Sequence, residues 1–211
     1  MVDELLKKYA PISDQVSRDE LRIILTEFAK ILDAEIPGDV VEFGCYKGTT
    51  SLFLARILRK TNSGKKLFLY DSFAGLPEKS PEDLSQAGDD FQAGELVATK
   101  RELVQAFAKN NLLYQSFGPI IIKSWFSDIR DDQLPEKISF AFFDGDFYRS
   151  IRDSFAKCAG KFSSGATIIV DDYVNEKLPG AAKAVDEWIM GHRQSVAKFW
   201  TEKSLGIVHL K

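Results

Sequence analysis

Val40-Val41-Glu42-Phe43-Gly44-Cys45-Tyr46-Lys47-Gly48-Thr49-Thr50 reads as a short strand, a glycine turn and the start of a helix. Gly44 lets the backbone turn tightly and come close to a ligand, and Gly48 does the same where the helix begins. The spacing is Gly-x-x-x-Gly. It matches neither the Gly-x-Gly-x-x-Gly that cradles a dinucleotide pyrophosphate nor the Gly-Lys-Ser/Thr of a triphosphate loop. A carboxylate beside the glycines, Glu42, repels phosphates but suits a ligand carrying a sulfonium and an ammonium, a description that fits S-adenosylmethionine.

Beyond this turn, strands and helices alternate. A helix from about Thr49 to Lys60 leads to a second strand, Lys66-Leu67-Phe68-Leu69-Tyr70-Asp71, completing the βαβ unit of a parallel sheet. Strand-terminal Asp71 is placed to accept hydrogen bonds from ribose hydroxyls. Taken singly, Glu42 is a polar residue at a strand end and Asp71 a helix cap; together, one βα unit apart, they point to a nucleoside cofactor. Ile120–Ile122, Ile138–Phe143 and Ala166–Val170 are continuous apolar runs, as in strands buried on both faces. Helices are expected at about Lys100–Asn110, Ile151–Lys161 and Ala181–Met190. Ser195–Trp200 and Gly206–Leu210 then follow too closely to hold a crossover helix, which makes them an antiparallel hairpin.

The expected fold is therefore one α/β domain over residues 1–211, a mostly parallel seven-stranded sheet with a terminal antiparallel hairpin, the Rossmann-like class I methyltransferase arrangement. A helical segment, 1–36, precedes the sheet; its main helix, Ser17–Asp33, opens with a Ser17/Glu20 capping box. Residues 73–99 lack periodicity and are rich in Pro, Gly, Ser and acids. Following a strand's carboxyl end, they are expected to form a lid.

Composition narrows the partners. A chain of 211 residues, 45% hydrophobic and 28% charged with net charge -3, suits one globular domain. Its scattered cations offer no basic face to nucleic acid or to an anionic membrane, while leaving room for a homo-oligomer. Cys45 and Cys158 fit neither a disulfide framework nor a CxxC metal spacing and read as buried reduced thiols. Charges in Met1–Lys8 stand where a signal peptide needs an apolar core, and no apolar run approaches the roughly 20 residues of a bilayer span. A cytoplasmic protein is expected.

Phe142-Phe143-Asp144-Gly145-Asp146 and Ile169-Val170-Asp171-Asp172 put two acids past the carboxyl end of each of two buried strands. If those strands are neighbours, four carboxylates meet beside the glycine turn, an arrangement that asks for a cation or for protons. Oxygen donors without His or Cys favour a hard dication, Mg²⁺ first, then Mn²⁺ or Ca²⁺. Asp146 and Asp172, taken singly, are equally turn formers or helix caps.

Four ordered landmarks resemble the macrocin-type sugar O-methyltransferases over about Val16–Trp188: Ile36–Gly44, Asp71-Ser72-Phe73-Ala74-Gly75-Leu76-Pro77, Asp144–Ser150, and Val170-Asp171-Asp172-Tyr173 with Pro179-Gly180-Ala181. The resemblance implies S-adenosylmethionine as donor and a hydroxyl of a sugar or other small natural product as acceptor. It also implies Mg²⁺ on Asp144, Asp171 and Asp172, with Asp146 as general base. A lysine serves as base in catechol-type relatives; Phe147 stands there in this chain, which turns attention to Asp146. On this reading Glu42 anchors the methionine end, and Asp71 with Ser72 the ribose. Gly44 and Gly48 shape the turn, and Tyr46 and Thr50 add contacts. Trp125 lies against adenine or in the core. Phe73, Phe91 and Tyr148 are candidates for the acceptor pocket, and His192 and His209 have no part. The implied reaction is in-line attack of an acceptor oxygen on the sulfonium methyl, the hydroxyl being acidified by the metal and deprotonated by Asp146. The turn departs from the family's frequent Glu-Cys-Gly-Val-Trp-Arg-Gly, and the region ahead of the first strand is short. Competing readings are a metal-independent methyltransferase, a non-catalytic cofactor-binding partner and, against Glu42, a metal-dependent phosphatase.

Overall fold

The computed structural model describes residues 1–88, 91–113 and 118–211. Helices α1 (Val2–Lys8) and α2 (Arg18–Asp33) precede β1 (Asp39–Phe43), α3 (Thr49–Thr61), β2 (Leu67–Asp71), α4 (Lys100–Lys109) and β3 (Ile120–Lys123). They are followed by β4 (Ile138–Phe143), α5 (Tyr148–Cys158), β5 (Phe162–Val170), α6 (Pro179–Gly191), β6 (Val196–Glu202) and β7 (Leu205–Leu210). The strands form one sheet in the order β3-β2-β1-β4-β5-β7-β6. β1 to β5 pair in parallel, and β7 pairs antiparallel with both β5 and β6.

Strand residues alternate between two cores. Val40, Leu69, Phe142 and Ile169 face α2, α3 and α4, whereas Val41, Tyr70, Phe143 and Val170 face α5 and α6. Burial on both faces explains the unbroken apolar runs of β4 and β5, but not that of β3, which lies at the sheet's edge with Ile120 exposed and Ile121 half-buried. α2 opens with the expected capping box: Ser17 N donates to Glu20 Oε2 at 2.9 Å, and Glu20 N to Ser17 Oγ at 3.2 Å. Both cysteines are buried free thiols, and no described helix is long and apolar enough to cross a membrane.

Three element starts fall earlier than periodicity suggests. β5 begins at Phe162 because its Ser-Ser-Gly stretch is knitted into the sheet: Ser163 Oγ donates to Pro37 O at 2.6 Å. α6 begins at Pro179, a residue suited to a first helical turn. α5 begins at Tyr148 and has no side-chain cap from its own N-cap residue.

The topology positions one edge. β1 lies between β2 and β4, where the order of connection reverses and the sheet opens a crevice at its carboxyl end. Tyr70, Phe43, Phe143 and Val170 form a single row across β2, β1, β4 and β5. The next residue on each strand is Asp71, Gly44, Asp144 or Asp171. Gly44 N still donates to Tyr70 O, Asp144 N to Phe43 O and Asp171 N to Phe143 O, at 2.8–2.9 Å. The acids are thus fixed by the sheet itself.

Candidate active site

Asp144, Asp171 and Asp172 each present a carboxylate oxygen, and the three oxygens lie within 4.8 Å of one another. The neighbouring strands do bring both doublets together. Asp171 is buried and Asp144, Asp146 and Asp172 are half-buried. Asp171 Oδ1 accepts from Asp172 N at 2.9 Å and Ser204 Oγ at 2.8 Å, while Asp172 Oδ1 accepts from Asn175 Nδ2 at 2.8 Å. Asp146 and Asp172 hold left-handed backbones, φ 60 and 56, a strain that functional sites commonly carry. Burial first and the neighbouring carboxylates second raise the pKa of Asp144, Asp146 and Asp171. Burial likewise raises Asp172. Acids forced together in this way, with oxygen donors only, fit a hard divalent cation.

The glycine turn abuts this cluster. A Cβ on Gly44, whose φ is 89, would stand 1.7 Å from Asp144 O, so only glycine lets the turn touch β4. Asp71 folds the turn: Oδ2 accepts from Cys45 N at 2.8 Å and Tyr46 N at 2.9 Å, and Oδ1 from Phe73 N at 2.7 Å. Glu42 is 1% exposed, and among the described residues Oε2 has no hydrogen-bond partner. Burial, with the Asp71 carboxylate adding to it, pushes its pKa up to about 8. It borders a small hollow with Gly44, Tyr46 and Thr50. An orphaned buried carboxyl of this kind suits a cationic ligand group.

A cleft of about 220 Å³ lies over both features. Asp71, Ser72, Tyr46 and the four acids form part of its lining. Trp125 stands in its wall, 41% exposed, rather than in the core. Phe91 also lines it. Phe73 is instead a core residue, and Tyr148 turns away, its hydroxyl donating to Glu187 Oε2 at 2.6 Å. Gly48 lies outside the lining: a Cβ there would meet Leu103 Cδ1 at 2.4 Å, so it packs α3 against α4.

Both arms of the 73–99 stretch reach the cleft, through Leu76, Pro77, Phe91 and Leu96; residues 89 and 90 lie outside the described residues. Leu76 packs with Phe147 and Leu178 in a small third core. The anchor is Asp83, 1% exposed. Its Oδ1 accepts from Tyr148 N at 2.6 Å, supplying the missing cap of α5, and its Oδ2 from Ser80 N at 2.8 Å and Ser80 Oγ at 2.7 Å. The sequence also concealed Asp14 and Gln15, which line the cleft from the segment between α1 and α2, where Ser13 Oγ lies 2.7 Å from Thr49 Oγ1. Phe126 and Ser150 join the lining as well. Ser150 closes the Asp144–Ser150 landmark, whereas no spacing or motif marks Asp14, Gln15 or Phe126.

A family model described as Macrocin-O-methyltransferase (TylF) matches residues 15–197. The chain is 28% identical over 170 residues to demethyldecarbamoylnovobiocin O-methyltransferase of Streptomyces niveus, covering 75% of this chain and 60% of that protein. It is 29% identical over 149 residues to 8-demethyl-8-(2,3-dimethoxy-alpha-L-rhamnosyl)-tetracenomycin-C 4'-O-methyltransferase of Streptomyces olivaceus, covering 68% and 56%. The chain therefore spans less of these relatives, 60% and 56%, than they match of it. Among solved structures it is similar to the O-methyltransferase NovP, with a TM-score of 0.80 and 24% identity over 93% of this chain and 81% of that one. The fold is the class I Rossmann-like one.

Proposed function

The chain belongs to the macrocin O-methyltransferase family, and on that footing we propose that it transfers a methyl group from S-adenosylmethionine to a hydroxyl of a sugar or similar small molecule, with Mg²⁺ at the acid edge. The observation that carries this is the meeting of Asp144, Asp171 and Asp172 within 4.8 Å, one residue beyond the row that also ends at the glycine turn.

S-adenosylmethionine, when bound, supplies an electrophilic methyl group on a sulfonium. Glu42 Oε2 is the group to receive its ammonium, Tyr46 and Thr50 flank that end, and Asp71 with Ser72 faces the ribose. Trp125 offers a ring to the base. Asp144, Asp171 and Asp172 would hold Mg²⁺, which lowers the pKa of a hydroxyl bound to it. Asp146 takes the acceptor's proton on a carboxylate oxygen, and its burial beside the other acids makes that oxygen more basic than a solvent-exposed carboxylate. The arms of the 73–99 stretch act as a lid that keeps water from the reacting groups.

The walls also select the acceptor. Asp14, Asp71, Asp144, Asp146, Asp171 and Asp172 line the cleft, and no lysine, arginine or histidine does so among the described residues. A dication and a cationic donor offset only part of that charge. An acceptor bearing phosphate or carboxylate is therefore repelled, and an uncharged or cationic one is favoured. Phe91 and Leu96 give its apolar part a seat.

Calorimetric titration with S-adenosylmethionine, with and without Mg²⁺, tests the reading. Asp171→Ala should keep donor binding and lose the Mg²⁺ effect. Asp146→Asn should keep both and lose turnover of neutral glycosides by roughly 10²–10⁴-fold. Undiminished turnover in excess chelator would leave a metal-independent methyltransferase, and absence of donor binding would remove the reading altogether.

A further inference from the structure

β7 runs antiparallel to β5, with Val170 opposite Gly206, so β7 starts where β5 ends. The two-residue turn before it, Lys203-Ser204, consequently projects over the acid edge. Two contacts seat this turn. Val174 N donates to Ser204 O at 2.9 Å, and Gly206 lies so close to the Tyr173 ring that a Cβ would come within 2.9 Å. Ser204 Oγ then stands 2.8 Å from Asp171 Oδ1 and 2.7 Å from Glu20 Oε1. Its single hydrogen is shared between two carboxylate oxygens. Glu20 is itself held, because Oε2 accepts from Ser17 N in the α2 capping box. Asp171 Oδ1 is further occupied by Asp172 N, while among the described residues no donor reaches Asp171 Oδ2.

We propose that Ser204, backed by Glu20, is a positioning residue for the cation site: it holds Asp171 by Oδ1 and leaves Oδ2 as the oxygen offered to the metal. This rests on the reading of the acid edge as a divalent-cation site. Partners behind a ligating carboxylate fix its orientation, and their loss typically costs 10- to 100-fold in metal affinity.

The test is Mn²⁺ titration of the full chain without donor, by calorimetry or by loss of the free-ion electron-spin signal. Ser204→Ala should weaken Mn²⁺ binding about tenfold or more. Ser204→Thr, which keeps the hydroxyl, should restore it, and affinity for S-adenosylhomocysteine without metal should be the same in all three proteins. Should the alanine variant not fold, Ser204→Cys, with a weaker donor of similar size, gives the same comparison. Wild-type affinity in the alanine variant, or equal loss in the threonine variant, overturns the role of the hydroxyl while leaving the cation site standing. A wild-type protein that binds no Mn²⁺ removes the cation site and this role with it.

Discussion

A methyl group on residue 44 would lie 1.7 Å from the carbonyl oxygen of Asp144, on a backbone already at φ 89. Clash and left-handed strain act together, so Gly44→Ala should cost on the order of 3 kcal/mol and lower the melting temperature by roughly 10 °C. It should also abolish binding of S-adenosylmethionine, because the turn can only retreat from β4. A variant that melts like wild type and still binds donor would refute the contact. Gly44, Glu42 and the four cluster acids were legible in the sequence because their chemistry sits at strand ends, where neighbours follow from topology. The turn-folding task of Asp71 was not, because it consists of accepting from three backbone N–H groups that sequence cannot display. Tyr148 and Phe73 were assigned to the pocket on residue type alone, and nothing in their spacing told which way they face.

Asp83 shows how one element borrows from another. α5 lacks a cap of its own, and a buried carboxylate from 65 residues earlier accepts its first N–H. Gly180 at the start of α6 is equally tied to it, since a Cβ there would stand 1.9 Å from Asp83 Oδ1. Asp83→Ala leaves buried donors of Tyr148 and Ser80 unpaired and should destabilise the protein by about 3 kcal/mol. The 73–99 stretch should then be cut faster by a nonspecific protease, and unchanged cleavage would show that the anchor is elsewhere. That the sheet is mostly parallel and ends in an antiparallel hairpin could be read in advance from apolar runs and short connections, whereas the order of the strands across it, with β7 between β5 and β6, could not. The folded shape of the 73–99 stretch could not be read either, because its acids look alike in sequence and, among the described residues, only Asp83 is buried against two helix starts.

Crowded acids tax the metal-free molecule as a whole. Glu42 and Asp171, raised to about 8 and about 7, keep their protons to higher pH in the fold than unfolded carboxyls, which titrate at about 4. The stability this gives is complete below about pH 4 and is lost as pH climbs through 7 to 8. Thermal melting of metal-free protein should therefore fall by on the order of 5 °C between about pH 6 and about pH 9, and saturating Mg²⁺ should flatten the fall. A melting temperature that rises with pH would contradict it. Glu20 and Ser204, finally, stand 184 residues apart along the chain. Bringing together residues so far apart along the chain costs conformational entropy. The acid edge is thus closed by segments from opposite ends of the chain, and local opening of either should weaken the proposed cation site while the helices persist.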